Sequence, residues 1–412
     1  MSILWPARIV VFLGLAVAIS VAEADGGNPP VINSWEYETI QDAIDQAPSP
    51  AIVLLPPGPL EIEEALRLKD GVVLDGQGMT VVSSPGDQFG LPFLTKPDAI
   101  DPALDFMVTG PQEIRVRING ALEPGHLVRV ALADGDFWVS EVADVNGLDV
   151  RFQDPLPRGG HLGRLERIDP VEKAGLRNLT IEGGRNPFWI AGARDFTLEN
   201  VRIEGNEFYS VIDQSYRVTI EALSKYRVSA GLAVFSSNQV VLQDALIDQH
   251  AFAGIFLRSA FNTAVQNVQI IGRPDLTPAS GLTGDGITIY RGQDIRISQV
   301  QIRDTSCYGT WITESKDVSY SDVQVENSFT HAFYAVDSDG VSFVRCRSQF
   351  NRSGWGFVLV NNRNINLRHN LAQRLPMGFL LWGNQGGRWQ RNLSQRNEVP
   401  DTFENNQGII GL

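Results

Sequence analysis

Apolar residues in this chain fall into short strands that recur at a fixed interval. Six segments open on glycine and continue with alternating or continuous apolar positions: Gly231-Leu-Ala-Val, Gly254-Ile-Phe-Leu, Gly286-Ile-Thr-Ile, Gly309-Thr-Trp-Ile, Gly356-Phe-Val-Leu and Gly378-Phe-Leu-Leu. Each leads through a polar turn to a second run, such as Asp294-Ile-Arg-Ile, Asp317-Val-Ser-Tyr or Asn364-Ile-Asn-Leu. The interval is 23 residues from Gly231 to Gly254 and from Gly286 to Gly309, and 22 from Gly356 to Gly378. From Gly254 to Gly286 it is 32, so that turn carries an extra loop. A strand-only unit of this length cannot bury its apolar face alone, whereas stacked copies share one continuous core. The pattern predicts an all-β chain, a right-handed parallel β-helix of roughly nine or ten rungs.

Read in order, residues 1–24 form an export signal. Arg8 supplies the positive start, Ile9 to Ala22 the apolar stretch, and Ala22-Glu-Ala the cleavage site, giving a periplasmic or secreted mature chain. Residues 25–90 hold an N-terminal cap and the first rungs. Ile40, Ala43, Ile44 and Ala47 stand at helical spacing, and a short helix there covers the open end of the coil. Between 91 and 165 the repeat breaks into separate alternating strands with Gly and Asp turns, the mark of a small inserted antiparallel β subdomain. The coil occupies 166–412.

Charge refines this picture. The net charge is −14, but His250 to Leu412 holds 15 Lys and Arg against 13 Asp and Glu, leaving 19 against 35 elsewhere. The acidic part discourages nucleic acid, and no later segment is apolar enough to cross a bilayer. An anionic ligand is least repelled by the C-terminal half. Cys307 and Cys346 fall in different columns of the repeat, too far apart for a disulfide, and read as buried free thiols. Asn206, Gln249, Asp304, Asn327 and Asn351 form a column of residues that tolerate left-handed backbone, which predicts a stacked turn.

The column before the glycine strand carries the candidate chemistry. It reads Asp285, Tyr308 and His331, each 23 residues from the last, which stacks the three side chains about one strand spacing apart. Beyond it, Thr288, Trp311 and Tyr334 face outward with Tyr290 nearby. An aromatic row beside an acid, a phenol and an imidazole suits a polysaccharide cleft. The loop Gly272 to Thr283, with Arg273 and Asp275, walls it, and His250 and Arg258 sit at its margin. His126, His161 and His369 lie outside the register and read as structural. No His or Cys pair has transition-metal spacing, and no cofactor is implied; carboxylate-held Ca2+ is the one ion left open.

The run from the helix through Leu54-Leu-Pro-Pro-Gly to Leu74-Asp-Gly-Gln-Gly resembles the start of pectin-lyase-like β-helix proteins. Thr283-Gly-Asp-Gly-Ile-Thr-Ile resembles the N-T-D-G segment of polygalacturonase-type glycoside hydrolases, with Asp285 matching the catalytic-region aspartate and His331 the histidine two rungs on. That family has an Asp-Asp pair where this chain has Cys307-Tyr308, and its later R-x-K has no counterpart. The missing pair removes the general acid of inverting hydrolysis. Three functions follow. One is a polysaccharide lyase or C5-epimerase acting on a uronate, with His331 as base, Tyr308 as acid, Asp285 orienting a neighbour, and Arg258 or Arg273 holding the carboxylate. Another is a hydrolase pairing Asp285 with Glu314 or Asp337. The last is a non-catalytic polysaccharide-binding or surface β-helix.

Overall fold

The computed structural model describes residues 28–84, 91–97, 99–101, 104–117, 122–133, 135–157, 161–275 and 284–411. The export segment and positions 276–283 of the expected cleft wall lie outside the described residues.

One turn of the coil shows how the sequence folds. Phe333–Val336, Ser342–Val344 and Arg347–Gln349 are three short strands separated by polar corners. The next turn repeats them in parallel register, with Phe333 beside Phe357, Ser342 beside Asn366 and Arg347 beside Leu371. Period-2 alternation sends Phe333, Ala335 and Phe343 inward, all fully buried. Like side chains then stack on like: the rings of Phe333, Phe357 and Phe379 are 4.6 and 4.9 Å apart and nearly parallel. The first face of the coil is a 12-stranded parallel sheet, and the other two faces merge into a 25-stranded one, because Val72–Ser83, Gly175–Glu182 and Thr197–Glu204 run through the corner between them.

The coil is longer than the nine or ten rungs expected, with about 15 turns. Early rungs such as Phe188–Ala191 and Ser210–Asp213 open without glycine and escape a glycine-anchored repeat. The corners hold more special backbone than one column. Between the second and third faces, Asn178, Asn200, Ala222, Asp244, Asn267, Gln299, Asp322, Arg345, His369 and Arg391 all adopt left-handed φ of 50–57°. Such residues cost about 1–3 kcal/mol each and persist only where the surroundings over-determine them. Here each is fixed by the rungs above and below. In the expected Asn column, Gln249, Asp304 and Asn327 are left-handed, but Gly205 and Phe350 hold that conformation in place of Asn206 and Asn351, which are buried one residue further on. His369 belongs to the corner column, and Nδ1 of His126 accepts the Glu123 N–H at 3.0 Å.

At the N-terminal end, helix Ile40–Gln46 closes the core with Ala43 and Ile44 fully buried, and a capping box between Thr39 and Asp42 starts it. The inserted strands form a seven-stranded antiparallel sheet from Ala99–Ile100 to His161–Asp169. This sheet seats on the coil through Phe261, which joins its apolar core, and through polar clasps. Asn238 donates to the Val139 carbonyl at 2.7 Å, and Arg258 Nε to Asp136 at 2.9 Å.

Candidate functional site

The register of the first face assembles the site. Thr288, Trp311 and Tyr334 pair across successive strands, and Ile287, Thr310 and Phe333 pair just before them. Asp285, Tyr308 and His331 therefore lie one above another at the strand entrance. Trp355 continues the column one rung on. Its interval from His331 is 24 residues rather than 23, and that slip hides it from a fixed-period reading. The rings form a ladder: Tyr308 to His331 is 5.7 Å between centroids, and His331 stacks on Trp355 at 5.1 Å and 22°. Beside it, Tyr308 stacks on Tyr334 at 5.2 Å and 13° and tilts against Trp311 at 5.6 Å.

Asp285 supports this ladder from beneath. Only 1% exposed, it accepts the Thr288 hydroxyl at 2.9 Å and the Tyr308 backbone N–H at 3.1 Å. Burial raises its carboxyl to about 6, against these bonds and that of the Cys307 thiol. Its partners are a hydroxyl, a thiol and a backbone amide, not an imidazole, so the expected support of a histidine is replaced by support of the Tyr308 backbone.

His331 is held differently from a base. Its Nδ1 accepts the Trp355 N–H at 3.1 Å, which leaves the single proton of the neutral ring on Nε2. Burial lowers its pKa to about 4. In this tautomer Nε2 is a donor, whereas the expected role as base asks for its lone pair. Burial also pushes the Tyr308 phenol up to about 12, so at neutral pH it too presents a proton.

Other expected residues lie elsewhere. His250 is fully buried, with Nδ1 at 2.6 Å from the Phe252 carbonyl, and does not reach the cleft surface. Arg258 is half-exposed but clasps Asp136 of the inserted sheet. Arg273 pairs with Asp275 at 2.8 Å and lines a separate cavity of about 580 Å³ with Arg227, Asp248 and Asp304. Tyr290 ends its strand with the Arg291 guanidinium 4.6 Å over its ring. Glu314 and Asp337 are exposed, left-handed corner residues at the far end of the first face. Six residues of extended chain, roughly 20 Å at strand rise, separate Glu314 from the Tyr308 position. That exceeds the span of a glycosidase carboxylate pair.

Tyr209 is a neighbour of Asp285 that the repeat did not reveal. It holds the position that later rungs give to Gly231 and Gly254, since Ser210 pairs with Leu232 and Leu232 with Ile255. Its hydroxyl accepts the Ala253 N–H at 3.1 Å, and the Asp285 charge contributes to raising its pKa. Among the described residues no group of three or more His, Cys, Asp or Glu gathers as metal ligands, and no helix is long and apolar enough to cross a membrane.

A family model described as a right-handed beta helix region matches residues 277–397. No curated protein matches the chain by sequence. Among solved structures, the chain is similar to the tailspike gp61 of Pseudomonas phage phi297, at TM-score 0.64 and 15% identity, over 94% of this chain and 79% of that one. It is also similar to PfbA, a surface adhesin of Streptococcus pneumoniae, at 0.52 and 11%, over 92% and 93%. The Yersinia enterocolitica family 28 exopolygalacturonase follows at 0.46 and 12%, over 93% and 78%. At these identities the likeness is one of fold. The chain is a right-handed parallel β-helix.

Proposed function

We propose that the aromatic column is the groove of an exported carbohydrate-active protein that takes an acidic polysaccharide and acts at C5 of a uronate. The ladder of Tyr308, His331 and Trp355, flanked by Trp311 and Tyr334, carries this reading. Flat amphipathic rings offer sugar faces a stacking surface, and the hydroxyl and Nε2–H beside them supply polar contacts. Both donors are uncharged at neutral pH, so they meet a carboxylate without a competing acid at the surface. The near-neutral charge of the C-terminal half favours the same ligand.

The chemistry follows from the protonation states. His331 Nε2–H donates to the uronate carboxylate and stabilises the charge that develops when C5 loses its proton. Tyr308, once ionised, accepts that proton. In a lyase the C5–H electrons form the C4–C5 double bond, the C4–O bond breaks, and Tyr308 returns the proton to the leaving oxygen. In an epimerase a solvent water gives a proton to the opposite face of C5, and the Tyr308 proton passes to the hydroxide left behind. With the phenol near 12, turnover rises with pH through the alkaline range. A second reading, a groove that binds without catalysis, is favoured by the rings of the ladder being uncharged at neutral pH, while the one carboxylate of the column, Asp285, is buried beneath them.

The test is a panel of pectate, alginate, glucuronan and glycosaminoglycans, with neutral glycans as controls, at neutral and alkaline pH. Ultraviolet absorbance rising with reducing ends identifies the lyase, and deuterium wash-in at C5 without either identifies the epimerase. Binding with none of these supports the non-catalytic groove. Reducing ends alone would contradict C5 chemistry.

A further inference from the structure

A cavity of about 220 Å³ opens where the inserted sheet meets the first face, lined by Gly135, Asp136, Phe137, Asp213, Gln214, Phe235, Ser236 and Arg258. Neither Tyr308 nor His331 borders it, but a row of aromatic rings leads from it to Tyr209, which feels the charge of Asp285 under the ladder. Tyr209, beneath the ladder, packs on Phe256 at 6.2 Å, and Phe256 meets Phe235 edge-on at 5.6 Å. Phe235, Arg258 and Tyr290 pair across successive strands, so the cavity sits at the exit of the strands whose entrance holds the column.

The lining has the chemistry of a sugar subsite. Arg258 gives its Nε to Asp136, and Ser259 Oγ holds the same carboxylate oxygen at 2.8 Å. Arg258 borders the cavity with its side chain 43% exposed, held in place by that clasp. Asp213 ends the strand Ser210–Asp213 beside Gln214, with the Arg129 charge across the junction. Its carboxylate and the amino group of the Gln214 amide, whose oxygen is taken by the Arg129 guanidinium, suit sugar hydroxyls. Phe235 supplies a ring edge and face. The volume is below the roughly 300–1,000 Å³ of sites for drug-sized ligands and suits one ring better than a chain.

We infer that this junction is a distal subsite for an acidic sugar unit of the chain bound in the groove, with Arg258 taking the carboxylate, Asp213 and Gln214 the hydroxyls, and Phe235 the ring. The polysaccharide then runs diagonally over the first face, and the inserted sheet closes one end of its track. This inference rests on the groove reading and adds a length requirement to it.

The experiment measures affinity for oligouronates of graded length, from dimer to octamer, prepared from pectate and alginate. The wild type, Phe235→Ala, Asp213→Asn and Trp311→Ala are compared by calorimetry, with circular dichroism as the folding control. The wild type should gain affinity in a step at the length that reaches the junction. Phe235→Ala and Asp213→Asn should erase that step, weakening long oligomers roughly five- to tenfold, the range of one lost aromatic or polar contact, and leaving short ones unchanged. Trp311→Ala should weaken all lengths alike. A Phe235→Ala or Asp213→Asn variant that is folded and keeps the step overturns the subsite while the groove stands. No binding at any length by the wild type overturns both.

Discussion

At His331 a backbone N–H decides which ring nitrogen faces the groove. The Trp355 amide occupies Nδ1, and the buried, stacked ring has no carboxylate among its hydrogen-bond partners to favour a charge. Nitrogen-15 NMR should show the Nε2–H tautomer from about pH 5 upward, with protonation only near 4. A ring that titrates near 6.5 would contradict this. Linkage gives a second prediction. The folded pKa values of His331 and His250 are near 4, below the usual 6.5, so these residues cost stability as pH falls through that window. For Asp285 the folded value is near 6, above the usual 3.8. Its contribution is therefore present below 3.8 and is lost as pH rises through 6. The slopes oppose each other, and Asp285→Asn removes the second. The variant should gain stability more steeply than the wild type between pH 4 and 6 in urea titrations; an unchanged slope would deny Asp285 its raised pKa.

Between neighbouring elements, contact is closest at the glycine column and along the asparagine ladders. A Cβ on Gly231 would lie 1.6 Å from the Gly254 carbonyl oxygen, a backbone atom that cannot step aside. Gly231→Ala should cost about 3 kcal/mol or more, read as a lowered urea midpoint. Asn362, Asn384 and Asn406, 22 residues apart, form a ladder at the corner after the first face. The fully buried Asn384 accepts the Asn362 N–H at 2.9 Å and donates to the Leu359 carbonyl at 2.9 Å and to Asn406 at 3.0 Å. Asn384→Ala leaves several of these groups unpaired and should cost about 2–4 kcal/mol. A loss under 1 kcal/mol would mean that water replaces the ladder. The glycine repeat was legible because its cause is local: the rungs that open on glycine pack a bare Cα against a neighbouring strand. The ladder was equally periodic, but asparagine in a polar corner reads as a solvated turn until the corner is seen to be buried.

For the molecule as a whole, the parallel coil, the capping helix and the inserted sheet were readable from alternation and spacing. Its full length was not, since the rungs near Phe188 and Ser210 use other residues where later rungs use glycine. The site was legible in part. Equal spacing brought Asp285, Tyr308 and His331 into line, but which of them faces out depends on depth, and Asp285 proved to lie under the surface. Contacts between distant segments carried no pattern at all. Arg258 read as a residue of the cleft margin, and its clasp on Asp136, 122 residues away, places it at the junction with the inserted sheet instead. The aromatic groove is the feature on which the functional account depends. Titrating the protein with acidic polysaccharides while following tryptophan fluorescence tests it most directly, with Trp311→Ala and Trp355→Ala as controls. A saturable change with one or more uronate polymers, reduced in both variants and absent with neutral glycans, is the result this structure predicts. A wild-type signal unmoved by every polymer, or one that survives loss of both tryptophans, would contradict it.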